Sequence, residues 1–471
     1  MLFNSTAYLI FLPVVVGLFF ALPHRLRWLL LLVASCVFYM AFVPVYILIL
    51  AFTIMVDYVA GIVIEPARGR ARRMFLVASI VANVGVLAIF KYYPFLTENL
   101  ELLLGSIGIR HHFPDLGILL PIGLSFHTFQ SLSYTLEVYH DRQPAERHFG
   151  RFALYVMFFP QLVAGPIERP QNLLPQFKAR RSFSLEDLSW GLVKILYGLF
   201  KKVVVADRLA PFVDAVYADI PGSNGLTILL ATLFFTVQIY CDFSGYSDIA
   251  IGSARIMGYR LMENFKRPYL STSIREFWGR WHISLSSWFR DYLYIPLGGN
   301  RVVKWRWYYN LMITFLVSGL WHGASWTFII WGALHGVYMV LGQLFRTHGP
   351  RTTATVVTDR LPRSRRVLQA LLTFGLVALA WVFFRATSAP DAILALRKGM
   401  TLAGGLHVGN GTRETDAFHL LACFAAIALL ALSYKLPMDL RVRHPRVLMV
   451  LTTLIIILFG RNGGEFIYFQ F

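Results

Sequence analysis

Stretches of about twenty mostly apolar residues recur along this 471-residue chain, separated by short segments rich in arginine. In hydrocarbon every backbone N–H and C=O needs an internal partner, so segments of this kind read as spanning α-helices. They fall near residues 6–22, 28–43, 45–64, 74–93 and 118–139, then near 226–241, 308–345, 367–384, 417–434 and 447–460. The expectation is an all-α, polytopic transmembrane helical bundle of roughly ten spans, with re-entrant or interfacial helices around a central tunnel. It is read as one membrane-embedded domain over 1–471, with its core at about 150–345.

Two shorter stretches, 152–165 and 188–206, are ambiguous. The first lies between the basic segments 140–151 and 166–187, and about fourteen apolar residues are too few for a comfortable crossing. It is expected to be re-entrant and to leave at Gly165-Pro166. The opening Met-Leu-Phe-Asn-Ser has no basic residue, and Pro23-His24 stands where a small-residue cleavage site would, so the first apolar segment reads as retained rather than as a signal peptide.

Lys and Arg number 44 against 25 acidic residues, a formal charge of +19. The excess clusters between apolar runs instead of along one polar face, which argues against nucleic acid and for cytoplasmic loops. Arg25 and Arg27 mark the first connection and Arg68, Arg70, Arg72 and Arg73 the third, whereas the connection at 94–117 has only Arg110. Arg346, Arg351, Arg360, Arg363, Arg365 and Arg366 mark a later one, and Lys435, Arg441, Arg443 and Arg446 another. Both termini are then expected outside the cytoplasm. Cys36, Cys241 and Cys423 have no disulfide or metal-ligand spacing, so no metal is expected. Gly-x-Gly-x-x-Gly, P-loop, His-Glu-x-x-His and Gly-x-Ser-x-Gly signatures are missing from the sequence.

Residues 264–301 are too charged to span lipid and too aromatic for an ordinary loop. Ile274, Trp278, Trp281, Leu285 and Trp288 recur at steps of three and four, one apolar face of a helix, with His282 beside it. Two readings are open: an interfacial helix anchored by Trp and Arg, or a site where Arg275, Arg280 and Arg290 hold a phosphate-bearing cofactor at the cytoplasmic mouth of a cavity. Within the apolar run 308–345, His322 is flanked by Gly319 and Gly323, and His335 follows 13 residues on. An ionisable side chain at membrane depth is costly and reads first as functional, and imidazole suits removal of a hydroxyl proton. His335 is expected as a packed or hydrogen-bonded neighbour. Asp242 and Asp248 in Asp-Phe-Ser-Gly-Tyr-Ser-Asp read as helix-terminus caps or partners of arginines, ahead of catalytic carboxylates. Asp57, Lys91 and Glu137 read as structural pairs.

Together, Arg275-Glu-Phe-Trp-Gly-Arg-Trp-His-Ile-Ser-Leu-Ser-Ser-Trp-Phe-Arg-Asp-Tyr-Leu-Tyr-Ile-Pro-Leu-Gly-Gly-Asn-Arg301 and Leu320-Trp-His-Gly-Ala-Ser-Trp326 resemble the membrane-bound O-acyltransferase family, in its bacterial alginate O-acetyltransferase branch. Phe158-Phe-Pro-Gln-Leu-Val-Ala-Gly-Pro-Ile167, 238–252, Thr128-Phe-Gln-Ser-Leu-Ser-Tyr134 and the terminal 466–471 carry the resemblance further, although His127 stands where the branch would have an aromatic. The resemblance implies that His322 is the essential histidine and His282 a second conserved polar position. It implies acetyl-CoA as donor, an inner-membrane location, and acetylation of a secreted polysaccharide through a separate periplasmic acetyltransferase. On this reading His322 is general base and His282 orients or polarises the thioester carbonyl. Trp281 and Trp288 shape the cavity, and Arg275, Arg280 and Arg290 meet the CoA phosphates. A covalent acyl-histidine also stays open. Alternatives are a D-alanyl carrier-protein donor, a peptidoglycan or cellulose acceptor and, from another class, a proton-coupled transporter.

Overall fold

The computed structural model describes residues 1–117, 120–345, 362–402, 404–406, 417–435, 444–461 and 466–467. Its helices run in the order α1 Thr6–Ala21, α2 His24–Met40, α3 Ile47–Ile64, α4 Gly69–Leu87, α5 Tyr93–Ser106, α6 Leu124–Tyr139, α7 Phe149–Met157, α8 Pro170–Lys178 and α9 Leu185–Leu199. There follow α10 Asp207–Ala218, α11 Gly225–Ile256, α12 Ile274–Trp278, α13 Ile283–Phe289, α14 Lys304–His322, α15 Trp326–Leu344, α16 Arg363–Arg385, α17 Ala389–Thr401, α18 Ala417–Lys435 and α19 Pro445–Phe459. No strand occurs among the described residues. The expected basic positions Arg346, Arg351, Arg360, Arg441 and Arg443, and the last four residues, lie outside them.

Six described segments are long and apolar enough to cross a membrane, against the ten expected: Pro44–Ile64, Gly69–Ser106, Gly225–Ile256, Trp326–Leu344, Arg363–Arg385 and Ala417–Lys435. Thr6–Ala21 and Pro445–Phe459 are apolar but shorter. The expected span at 118–139 is α6, and nearly every side chain of this helix is enclosed by protein, including His127, Thr128, Gln130, Ser131, Ser133 and Thr135. Hydropathy counts apolar residues, and it does not distinguish a lipid-facing surface from a protein-facing one. The expected connection at 94–117 is helical as far as Ser106, because a π-turn at Ala88–Tyr92 lets the chain pass Pro94 without breaking.

The chain divides into two compact units, residues 1–195 with 247–262 and residues 196–246 with 263–471. In the first, α3, α4 and α6 pack around Asp57, whose carboxyl group receives hydrogen bonds from Ser79 (2.5 Å), Asn83 (2.9 Å), Thr135 (3.2 Å) and Ser131. Also in this unit, 152–165, the segment expected to be re-entrant, is the last part of α7 followed by a buried irregular stretch, Phe158–Gly165. Lys194 pairs with Asp248 at 2.8 Å.

In the second unit the single apolar run at 308–345 is a hairpin of α14 and α15. Gly323 leaves the helix in extended conformation, and Ser325 caps α15 by accepting from the Thr327 N–H. The two helices touch along glycines: a Cβ on Gly319 would lie 2.3 Å from the Phe328 carbonyl, and one on Gly332 2.3 Å from the Phe315 carbonyl. The expected helix over Ile274–Trp288 is two short ones, because Ser273 caps α12 and the chain turns at Gly279–His282. Asp242 is not at a helix end. It sits inside α11, where Lys202 donates to it at 2.5 Å and to Asp207 at 2.9 Å; its partner is a lysine rather than the expected arginine.

Candidate functional site

His322 is the last residue of α14, buried in the second unit. Its ring is set edge-on to Trp321 (centroids 4.9 Å apart), Trp331 (4.9 Å) and Phe384 (5.4 Å), the last from α16. Gly323 makes this cage feasible, since a Cβ there would lie 2.1 Å from the Phe328 ring. Trp331 reaches on to Trp381 at 5.8 Å, and Trp381 to Trp281 at 5.0 Å. Trp281 is therefore two aromatic rings removed from His322.

His282 is fully buried and adopts a left-handed backbone conformation (φ 43°) as the residue before α13. A non-glycine residue held there carries strain, which persists only where its surroundings fix it. Asn264 is that fixture: its side-chain oxygen accepts the Ser284 backbone N–H at 3.1 Å and the Ser284 hydroxyl at 2.9 Å. A backbone N–H only donates, so the amide oxygen faces this side, and the His282 Nδ1, 3.2 Å away, must be the protonated ring nitrogen. Burial drives the His282 pKa down to about 3, so the ring is neutral and Nε2 carries a lone pair. His282 meets Trp321 at 6.4 Å, and Trp321 thus stands between the two histidines.

His335 lies one helical turn after Trp331 on α15, fully buried, with its ring 4.9 Å from Trp331. Continuous-helix geometry would have set it about 140° from His322. The hairpin instead brings both against Trp331. The Trp278 indole N–H donates to His335 Nδ1 at 3.3 Å, which makes His335 the hydrogen-bonded neighbour expected.

The arginines disperse. Arg280 pairs with Glu276 (2.6 Å) and lines a groove of about 400 Å³ together with Thr272, Leu270, Arg363 and Arg366. Arg275 and Arg290 are not among its lining residues, and Arg290 pairs with Asp291 at 2.7 Å. Trp288 is buried against Tyr292 at 5.1 Å. Among the described residues no cluster of His, Cys, Asp or Glu is arranged to hold a metal.

The model of the membrane-bound O-acyltransferase family matches residues 125–382. The chain belongs to this family. It is 43% identical over 389 residues to the probable alginate O-acetylase of Azotobacter vinelandii, covering 82% of this chain and 75% of the relative. It is 36% identical over 453 residues to the peptidoglycan O-acetyltransferase of Helicobacter pylori, covering 89% and 83%. Against the teichoic acid D-alanyltransferase of Bacillus subtilis the identity is 27% over 322 residues, covering 65% and 76%. As a membrane-bound O-acyltransferase it is an enzyme, and its helices are those of a membrane protein.

Within this acyltransferase, sequence reasoning missed Trp331, Phe384, Arg363 and Arg366 beside the candidate residues. Trp331 was visible in Trp331-Gly-Ala-Leu-His335, one turn before a histidine. Phe384 and the two arginines come from a distant helix; the arginines stand out in the sequence only as part of a basic connection, and no local pattern announces Phe384.

Proposed function

We propose that the chain is an O-acetyltransferase that takes acetyl from cytoplasmic acetyl-CoA and moves it across the bacterial inner membrane, through a tunnel, for O-acetylation of a secreted alginate-like polysaccharide. A periplasmic acetyltransferase of the same pathway receives the group. Both termini lie on the periplasmic side in this reading, and the catalytic core is about 150–345. The observation that carries the proposal is the 42–43% identity to two alginate O-acetylases over 82% of the chain.

His322 acts as general base on the acceptor hydroxyl, its ring held by Trp321, Trp331 and Phe384. Polarising a carbonyl needs a donor, and neutral His282 presents a lone pair at Nε2, so its proposed role narrows to orienting the acceptor hydroxyl. Trp281 closes the aromatic wall behind Trp381. Arg280, with Arg363 and Arg366 across the same groove, meets the CoA phosphates; guanidinium pairs with phosphate bidentately. Arg363, Arg365 and Arg366 stand in the first turn of α16, which has no acidic residue and where the helix dipole opposes cations, which fits an anionic visitor. Arg275, Trp288 and Arg290 serve as further donor contacts.

A second reading keeps the chemistry and changes the acceptor to peptidoglycan. The Helicobacter relative supports it by aligning over more of this chain than the alginate relatives do.

The test is release of free CoA from acetyl-CoA by the purified protein in nanodiscs, with and without periplasmic extract. Release by wild type that is lost in His322→Ala and reduced in His282→Ala is expected. No release and no CoA binding in wild type would overturn the donor. Full polymer acetylation by this chain alone would overturn the periplasmic partner.

A further inference from the structure

Two buried hydrogen-bond donors beside His322 have no acceptor. The Trp278 N–H can only donate, so His335 Nδ1 accepts and the proton of the neutral ring is on Nε2. That Nε2–H and the indole Nε1–H of Trp331 are both buried, and neither has a hydrogen-bond partner in the structure. The two residues are one turn apart on α15, their rings 4.9 Å from each other, and the Trp331 ring is 4.9 Å from that of His322. Buried donors are nearly always paired, and an unpaired one in a native fold asks for an explanation. Packing alone does not supply it, since Phe would fill the Trp331 site without an N–H, and Leu or Phe the His335 site.

We infer that Trp331 Nε1–H and His335 Nε2–H receive the carbonyl oxygen of the acyl group and stabilise the negative charge it develops during transfer. The inference rests on the acyl-transfer reading of His322 but not on which thioester is the donor. In the step, the acceptor oxygen gives its proton to His322 and bonds to the carbonyl carbon, while the C=O π pair moves onto oxygen between the two N–H groups. Collapse of that adduct re-forms C=O and breaks C–S, and the departing thiolate takes the proton from His322. The task first assigned to His282, polarising the carbonyl, falls in this geometry to His335 and Trp331, because the tautomers of the two histidines are opposite. Donors fixed in a water-poor cage are well suited to it.

The experiment is steady-state transfer in nanodiscs with periplasmic extract, using acetyl-CoA as donor, for wild type, Trp331→Phe, His335→Leu and His335→Gln. Trp331→Phe and His335→Leu are each expected to lower kcat about a hundredfold with KM for the donor nearly unchanged, and His335→Gln, which keeps an N–H, to recover about tenfold of that loss. A purely structural role predicts the opposite ordering: Trp331→Phe, which keeps an aromatic ring, near wild-type kcat, and His335→Gln no better than Leu. That result overturns the inference. A second readout is the infrared carbonyl stretch of 13C-labelled acetyl-CoA bound to the His322→Ala protein. It is expected at lower frequency than in water and to move back when Trp331→Phe is added; a stretch that ignores Trp331 overturns the inference. If wild type turns over no acetyl-CoA, the donor proposal fails by itself, and the same kcat series with the carrier-protein thioester that wild type does accept decides the matter.

Discussion

Asp57 and the His322 cage are both buried polar sites, and they handle polarity in opposite ways. Asp57 is surrounded by donors from two neighbouring helices, so its oxygens are satisfied by Ser79, Asn83, Ser131 and Thr135. Beside His322, Trp331 and His335 present N–H groups with nothing to receive them. A polar group whose own hydrogen bonds are all made holds helices together and asks for nothing more. An open one costs stability and is retained where something else supplies the missing partner. The contrast separates structural from functional polarity within one chain, which composition alone did not.

The largest expected effect is at His322. Replacing it by Ala removes the general base and should lower acyl transfer about a thousandfold, while the protein melts within a few degrees of wild type in the same nanodiscs. At Asp57 the order reverses. Asp57→Leu strands four donors and should cost about 3–5 kcal/mol, read as a lower melting temperature and poor recovery from membranes, whereas Asp57→Asn, which keeps an acceptor oxygen, should lose far less. Asp57→Leu melting like wild type would remove the distinction.

The His282 prediction is one of pH. A base whose folded pKa lies near 3 is fully stabilising while the unfolded ring is also neutral, above about 6.5, and the stability is lost as pH falls toward 3. Wild type should lose stability as pH falls below about 6, and His282→Asn should make that slope shallower by on the order of 1 kcal/mol per pH unit; equal slopes would show that burial of this imidazole is not what acid attacks. The smallest effect is at Ser325, whose cap holds the start of α15: Ser325→Ala should cost about 1 kcal/mol in melting and shift activity little.

Much of the helical frame was legible in the sequence because apolar periodicity marks buried faces whatever surrounds them. The segments expected at 6–22, 367–384 and 417–434 are Thr6–Ala21, Arg363–Arg385 and Ala417–Lys435. Legibility failed where the surroundings decide. In α6 the polar residues face protein, an environment that hydropathy does not tell from lipid. At Gly279–His282 and Gly323–Ser325 single caps and glycines override a periodicity that continues through them, and both breaks place histidines. His322 and His282 could be named as candidates from their neighbours in sequence. The tautomers of His282 and His335 could not, because Asn264 and Trp278 fix them from 18 and 57 residues away. The arginines were grouped by proximity in sequence, and the fold instead joins Arg280 to Arg363 and Arg366.

The most direct measurement takes turnover and melting temperature on the same nanodisc preparations of wild type, His322→Ala and Asp57→Leu. Expected is a His322→Ala protein that melts like wild type and transfers no measurable acyl group, beside an Asp57→Leu protein whose lost activity follows its lost fold. A His322→Ala protein that melts normally and still transfers at the wild-type rate would remove His322 from the chemistry and refute the reading of its cage as the site of transfer.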